Sequence, residues 1–208
     1  MIKTVIFDMG KVLLDYQSEI IIKTQTNDPA LIEKIKLGLF SSYQWALLDA
    51  GLISLEDALT QILTRFSEDE KAIVTHCFYH WIDTNLFVKT DMADLVKDLH
   101  DQGYRLFVLS NANCLMHKIE KEIFPHYDYF EKIYFSCDYQ FMKPQLGLYQ
   151  LVLNEQHLDP NECLFVDDLL DNVKAAQACG IHGCHFDGSA QCVYAKLEQL
   201  NGKENQLC

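Results

Sequence analysis

Thr4-Val5-Ile6-Phe7-Asp8-Met9-Gly10 opens on four β-branched and aromatic residues and stops at a carboxylate. A short apolar run of this kind, ended by Asp and Gly, reads as a buried strand running into a loop. The same pattern returns at Tyr104 to Leu109, Ile133 to Ser136, Cys163 to Val166 and Ile181 to Phe186. Helical periodicities lie between these runs. Met92, Leu95, Val96 and Leu99 recur at i, i+3, i+4, i+7, and Leu146, Tyr149, Val152 and Leu153 share a face behind Pro144. Val173, Ala176 and Gln177 precede Gly180, a C-terminal cap glycine. Strands alternating with helices predict an α/β fold with a doubly wound, mostly parallel, Rossmann-like sheet.

Residues 16–87 break the alternation and read as wholly helical. Leu31, Ile32, Ile35 and Leu39 form one apolar face, and Leu55, Ala58, Leu59, Ile62 and Leu63 form another behind a Ser54 N-cap. Ser67-Glu68-Asp69-Glu70 has the capping-box pattern of a third helix. The expected organisation is a core of residues 1–15 and 88–208 interrupted by an all-helical cap of residues 16–87, with a frayed tail from Asn201 to Cys208.

The chain has 208 residues, 17 Lys and Arg against 30 Asp and Glu, and a net charge of −13. That excess argues against nucleic-acid and anionic-membrane partners, which require clustered cations. The eight cysteines have no secretory leader before them, and no window approaches a membrane span, so reduced thiols in a cytoplasmic protein are expected.

In an open parallel sheet, functional groups gather outside the carboxyl ends of the strands. Asp8, Ser110-Asn111 and the Asp167, Asp168, Asp171 cluster fall there, with Lys143 ahead of the helix carrying Tyr149. On these residues the chain resembles the haloacid dehalogenase superfamily, in its helical-cap phosphatase branch. Phe7-Asp8-Met9-Gly10-Lys11-Val12-Leu13 looks like its first motif, Val108-Leu109-Ser110-Asn111 its second, Met142-Lys143-Pro144 its third, and Phe165 to Val173 its fourth. Each string is weak alone; the order and spacing of all four are specific.

The resemblance implies an Mg²⁺-dependent hydrolase acting on a small phosphorylated metabolite. Asp8 would attack phosphorus to form an aspartyl-phosphate. Asp8, the Gly10 carbonyl and Asp168 would hold the metal, and Asp167 and Asp171 would orient its waters. Ser110 and the Asn111 N–H would bind phosphate oxygens, while Lys143 would offset the negative charge around Asp8.

One position departs. Family phosphatases carry a general acid two residues after the nucleophile, where this chain has Gly10. Some sugar-phosphate phosphatases of the superfamily share that variant, which leaves the acid to Lys11, Asp15, His76 or His80. A 2-haloacid dehalogenase needs no such acid, although neither Arg65 nor Arg105 matches its halide-binding arginine. A catalytically weak phospho-ligand-binding protein is the third reading. His76 and His80, at i and i+4, and the Cys179, His182, Cys184, His185 group have metal-ligand residue types; alternation along a strand keeps the second group from converging.

Overall fold

The computed structural model describes residues 1–202. Five parallel strands form the main sheet: β1 (Thr4–Phe7), β4 (Arg105–Ser110), β5 (Lys132–Phe135), β6 (Cys163–Asp167) and β7 (His182–His185), in the order β5-β4-β1-β6-β7. Two short strands, β2 (Leu14–Tyr16) and β3 (Leu86–Val88), pair antiparallel beside it. Helices α1 (Glu19–Gln25), α2 (Pro29–Ile35), α3 (Tyr43–Asp49), α4 (Leu55–Leu63) and α5 (Glu68–His80) all lie between β2 and β3. The rest are α6 (Thr90–Asp101), α7 (Glu120–Ile123), α8 (Leu146–Glu155), α9 (Leu170–Ala178) and α10 (Ala190–Gly202).

Alternating side chains give the sheet two apolar faces. Val5, Phe7, Leu106, Val108, Leu164 and Val166 pack toward α6 and α10, while Ile6, Phe107, Leu109 and Phe165 pack toward α8 and α9. The sheet is doubly wound, as the strand–helix alternation predicts. From β1 the order runs outward to β4 on one side and to β6 on the other, so the crevice where ligands bind in such sheets opens at the end of β1.

The stretch read as wholly helical is bounded by strands. Residues 14–16 and 86–88 run side by side, so each connection into the helical insert satisfies the other's backbone groups. Three-residue strands carry too little periodicity to stand out in a sequence. The capping box at Ser67 and Glu70 is formed, and Ser54 caps α4. The insert's own core, including Ile35, Leu39, Ile62, Val74 and Phe78, is continuous with that of the sheet. The tail reading is met only in part: Asn201 and Gly202 end α10, and residues 203–208 lie outside the described residues.

The end of α3 is pressed against the core. Gly51 has a left-handed φ of +66°, and a Cβ there would lie 2.0 Å from the Cys137 carbonyl oxygen. Only glycine meets both demands. Gly51→Ala is expected to destabilise the protein by at least about 2 kcal/mol, measured by urea unfolding, from the strained φ and the backbone overlap.

Candidate active site

Asp8 follows the central strand, where its N–H donates to the Val166 carbonyl at 2.8 Å. Phe7 is in register with Val108 and Val166, which brings Ser110 and Asp167 to either side of Asp8. Lys143 comes from the loop between β5 and α8. Its backbone is clamped by the Asn111 side chain, which donates from Nδ2 to the Lys143 carbonyl and accepts the Lys143 N–H at Oδ1, both at 2.8 Å. The Asn111 side chain therefore positions Lys143.

The Lys143 ammonium sits between two carboxylates, 2.7 Å from Asp8 Oδ1 and 2.8 Å from Asp167 Oδ2, with its side chain only 1% exposed. Desolvation pulls its pKa down, yet Asp8 and Asp167 together hold it above its ordinary value. Burial pushes the Asp8 carboxyl up; Lys143 counters that push and the neighbouring Asp167 adds to it. The Met9 N–H donates to Asp8 Oδ1 at 2.7 Å and fixes the carboxylate further.

Carboxylate oxygens of Asp8, Asp167 and Asp168 lie within 4.8 Å of one another. All-oxygen donors of this kind suit a hard divalent cation that keeps several waters. Asp168 is partly exposed and meets the Lys11 ammonium at 3.5 Å. Asp167 is completely buried and committed elsewhere: besides Lys143, it accepts the Leu169 N–H and both its oxygens take hydrogen bonds from Asn172 Nδ2, at 3.1 and 3.0 Å. These contacts make Asp167 an anchor for Lys143.

Asp171 requires a correction. Its side chain is 85% exposed and pairs with Lys174 at 3.6 Å, while Asn172 lines the cleft. One residue turns a helix by about 100°, so at the start of α9 position 171 faces solvent and 172 faces inward.

The cleft has a volume of about 350 Å³. Asp8, Gly10, Ser110, Lys143 and Asp168 line its floor, and Tyr16, Phe40, Trp45, Trp81 and Leu86 supply an apolar wall. Trp45 packs edge-on against Phe40 and Trp81 at ring separations of 4.9 and 5.5 Å, and Trp81 meets Tyr16 at 5.8 Å. Among the described residues the Trp81 indole N–H is buried without an acceptor, which leaves one unsatisfied donor within this aromatic cluster.

A carboxylate that the sequence reading does not single out completes this wall. Asp49, the last residue of α3, lines the cleft and accepts a hydrogen bond from Asn113 Nδ2 at 3.1 Å. Burial pushes its pKa to about 7, against the lowering effect of Asn113. In sequence Asp49 is one acidic residue after an apolar run; only the docking of α3 distinguishes it.

Of the acids considered for the gap at Gly10, Lys11 lines the cleft. Asp15 is paired with Lys89 at 3.5 Å, His80 with Asp83 at 2.8 Å, and His76 stacks on His80 at 4.6 Å. None of these three is among the cleft residues. The two arginines are also engaged elsewhere: Arg65 donates to the Gly38 carbonyl at 3.3 Å and Arg105 pairs with Glu131 at 2.7 Å. His182 and His185 meet the backbone carbonyls of Asn161 and Asp168, and Cys184 approaches Cys192, so the group from Cys179 to His185 does not converge on an ion. The seven cysteines among the described residues are free thiols. No helix among the described residues is long and apolar enough to cross a membrane.

A family model described as haloacid dehalogenase-like hydrolase matches residues 2–180. The chain is 29% identical over 203 residues to the sesquiterpene phosphatase astK of Aspergillus oryzae, covering 96% of this chain and 97% of that protein. It is 26% identical to the D-ribitol-5-phosphate phosphatase of Bacteroides thetaiotaomicron, over 86% of this chain and 89% of the relative. Among solved structures, a family enzyme of Bacteroides thetaiotaomicron in complex with magnesium and inorganic phosphate superposes with a TM-score of 0.68 at 26% identity, covering 88% and 93% of the two chains.

Removing the cation between two buried carboxylates leaves charge uncompensated. Lys143→Met is expected to cost about 3–5 kcal/mol at pH 7. The cost should shrink as the pH falls, because protonating Asp8 removes part of that charge; urea unfolding at pH 7 and pH 5 reads the difference.

Proposed function

The chain belongs to the haloacid dehalogenase-like hydrolases, and from that premise we propose that it is an Mg²⁺-dependent phosphomonoesterase that forms an aspartyl-phosphate on Asp8. The observation that carries the reading is Lys143, buried between Asp8 and Asp167 in the cleft that also presents Ser110 and Asp168. An Asp8 oxygen forms the new bond to phosphorus as the ester oxygen departs, and water then cleaves the aspartyl-phosphate. Lys143 keeps Asp8 oriented and offsets its charge against the incoming phosphate. Ser110 and the Asn111 N–H donate to phosphate oxygens. Asp8, the Gly10 carbonyl and Asp168 would hold Mg²⁺, which supplies charge neutralisation and polarisation of the phosphoryl group.

The helical insert acts as a cap, and the residues it brings to the cleft speak for the organic part of the substrate. Phe40, Trp45, Trp81, Tyr16 and Leu86 offer a mainly apolar surface, with Asp49 and Asn113 as the polar side chains beside it. Ring faces favour a small phosphate ester whose organic part is apolar, and we place that class ahead of a sugar phosphate. The astK similarity supports the order, and the ribitol-phosphate phosphatase similarity keeps the sugar class as the comparison. The dehalogenase reading lacks support because neither arginine reaches the cleft.

Phosphate release from farnesyl phosphate, ribitol 5-phosphate and p-nitrophenyl phosphate tests this. Turnover is expected to require Mg²⁺, to stop in EDTA, and to fall by about 10⁴-fold or more in Asp8→Asn. The kcat/KM should be higher for farnesyl than for ribitol phosphate. Activity that persists in EDTA or in Asp8→Asn would overturn the mechanism.

A further inference from the structure

We propose that Asp49, delivered by α3 of the helical insert, is the general acid and base of this cleft, standing in for the carboxylate absent at position 10. The inference rests on the phosphatase reading and adds a residue to it.

The vacancy at Gly10 is chemical and not imposed by the backbone. Gly10 has no left-handed φ, and a Cβ built there meets no atom within 4 Å. A side chain would fit, yet none is present, so a proton donor must reach the leaving oxygen from elsewhere. Of the proton-bearing side chains in the cleft, Lys143 is committed to Asp8 and Asp167, Lys11 is drawn to Asp168, and burial raises the Tyr16 phenol and so makes it a weaker acid, which leaves Asp49.

Asp49 is held in place from several sides. Asn113 binds its carboxyl, the Ser136 hydroxyl donates to its backbone carbonyl, and Gly51 seats the end of α3 against Cys137. The groups facing it are Asn113 beyond β4, Tyr16 on β2, and Cys137 beyond β5. Burial and then the Asp49 charge raise the Tyr16 phenol; burial and then Asp138 raise the Cys137 thiol, to which Asp49 adds least. A carboxylate with a neutral amide partner is a costly way to make a structural contact, because an Asn would accept the same hydrogen bond without a desolvated charge. With its pKa pushed by burial to about 7, Asp49 populates both protonation states near neutrality, as a group that donates and then accepts must.

The proton accounting closes over one cycle. As the Asp8 oxygen bonds to phosphorus, the P–O bond to the organic group breaks, its electron pair stays on that oxygen, and Asp49 supplies the proton that makes the alcohol. In the second step a water oxygen bonds to phosphorus, its proton goes to the Asp49 carboxylate, and the P–O bond to Asp8 breaks. Both carboxyl groups return to their starting forms.

The leaving group separates this role from a structural one. A simple alkyl phosphate needs a proton on departure; p-nitrophenyl phosphate does not. In Asp49→Asn, kcat/KM for an alkyl phosphate is expected to fall by about 10²- to 10⁴-fold and that for p-nitrophenyl phosphate by less than about 10-fold. With p-nitrophenyl phosphate, acid quenching should trap phosphorylated Asp49→Asn protein, because water attack has lost its base. In the wild type, kcat/KM for the alkyl ester should decline as the pH rises through about 7, and the variant should lose that limb. Adding Gly10→Asp to Asp49→Asn should restore the alkyl phosphate most. Asn keeps the Asn113 bond, so urea unfolding should find the variant at least as stable as wild type at pH 8, where the wild type must hold a partly desolvated charge. Equal losses on both esters, or no loss, overturn the role of Asp49 while leaving the phosphatase reading intact. No turnover of either ester by the wild type, with Mg²⁺ present, overturns the phosphatase reading and this inference with it.

Discussion

One ammonium group organises the reactive end of this molecule. Lys143 lies out of solvent between Asp8 and Asp167, at 2.7 and 2.8 Å. Desolvating each ion costs several kcal/mol, and each close contact returns about 4 kcal/mol or more at the effective dielectric of a protein. The arrangement holds because every participant is tied down from outside. Asn111 grips the Lys143 backbone, Asn172 and the Leu169 N–H saturate Asp167, and the Met9 N–H meets Asp8. These partners come from the loops after β1, β4 and β6, the start of α9 and the segment ahead of α8, so a sheet whose strand order reverses at β1 is needed to bring them together.

Charge is concentrated here in a way that complements a phosphate only with help. Three carboxylates face the ammonium groups of Lys143 and Lys11. Of the three, Asp167 has both oxygens engaged by Lys143, Asn172 and the Leu169 N–H, while Asp8 meets Lys143 and the Met9 N–H through Oδ1. The net charge of −13 is thus informative locally: an acidic protein can hold an anion where a lysine and a divalent ion are fixed beside it.

The helical insert contributes the other half of the cleft. Its aromatic residues form a wall opposite the polar floor, and Asp49 adds a carboxylate to that wall. The contact of Gly51 with Cys137 and the bond from Asn113 lock that residue to the core, so the chemistry of the cleft depends on how the insert is seated.

Much was legible from residue order alone. The runs ending at Asp8, Ser110 and Asp167 are apolar on both faces, which only a parallel sheet covered on both sides can bury, and the carboxyl ends of such strands are where polar residues gather. Fold class follows from that periodicity; Asp8, Ser110 and Asp168 stand out as residues at strand ends and Lys143 through the resemblance of Met142-Lys143-Pro144 to the superfamily's third motif, and all four line one cleft. Tertiary structure decided the rest. Asp171 and Asn172 are neighbours in sequence, and the phase of α9 alone sends one to solvent and the other to the cleft. Strands β2 and β3 exist because two distant connections meet. Asp49 acquires its surroundings from residues 64 positions away, at Asn113, and 87 away, at Ser136. Periodicity reports which way a residue faces within its own element; what it faces across a cleft depends on how two elements dock, and no local pattern encodes that.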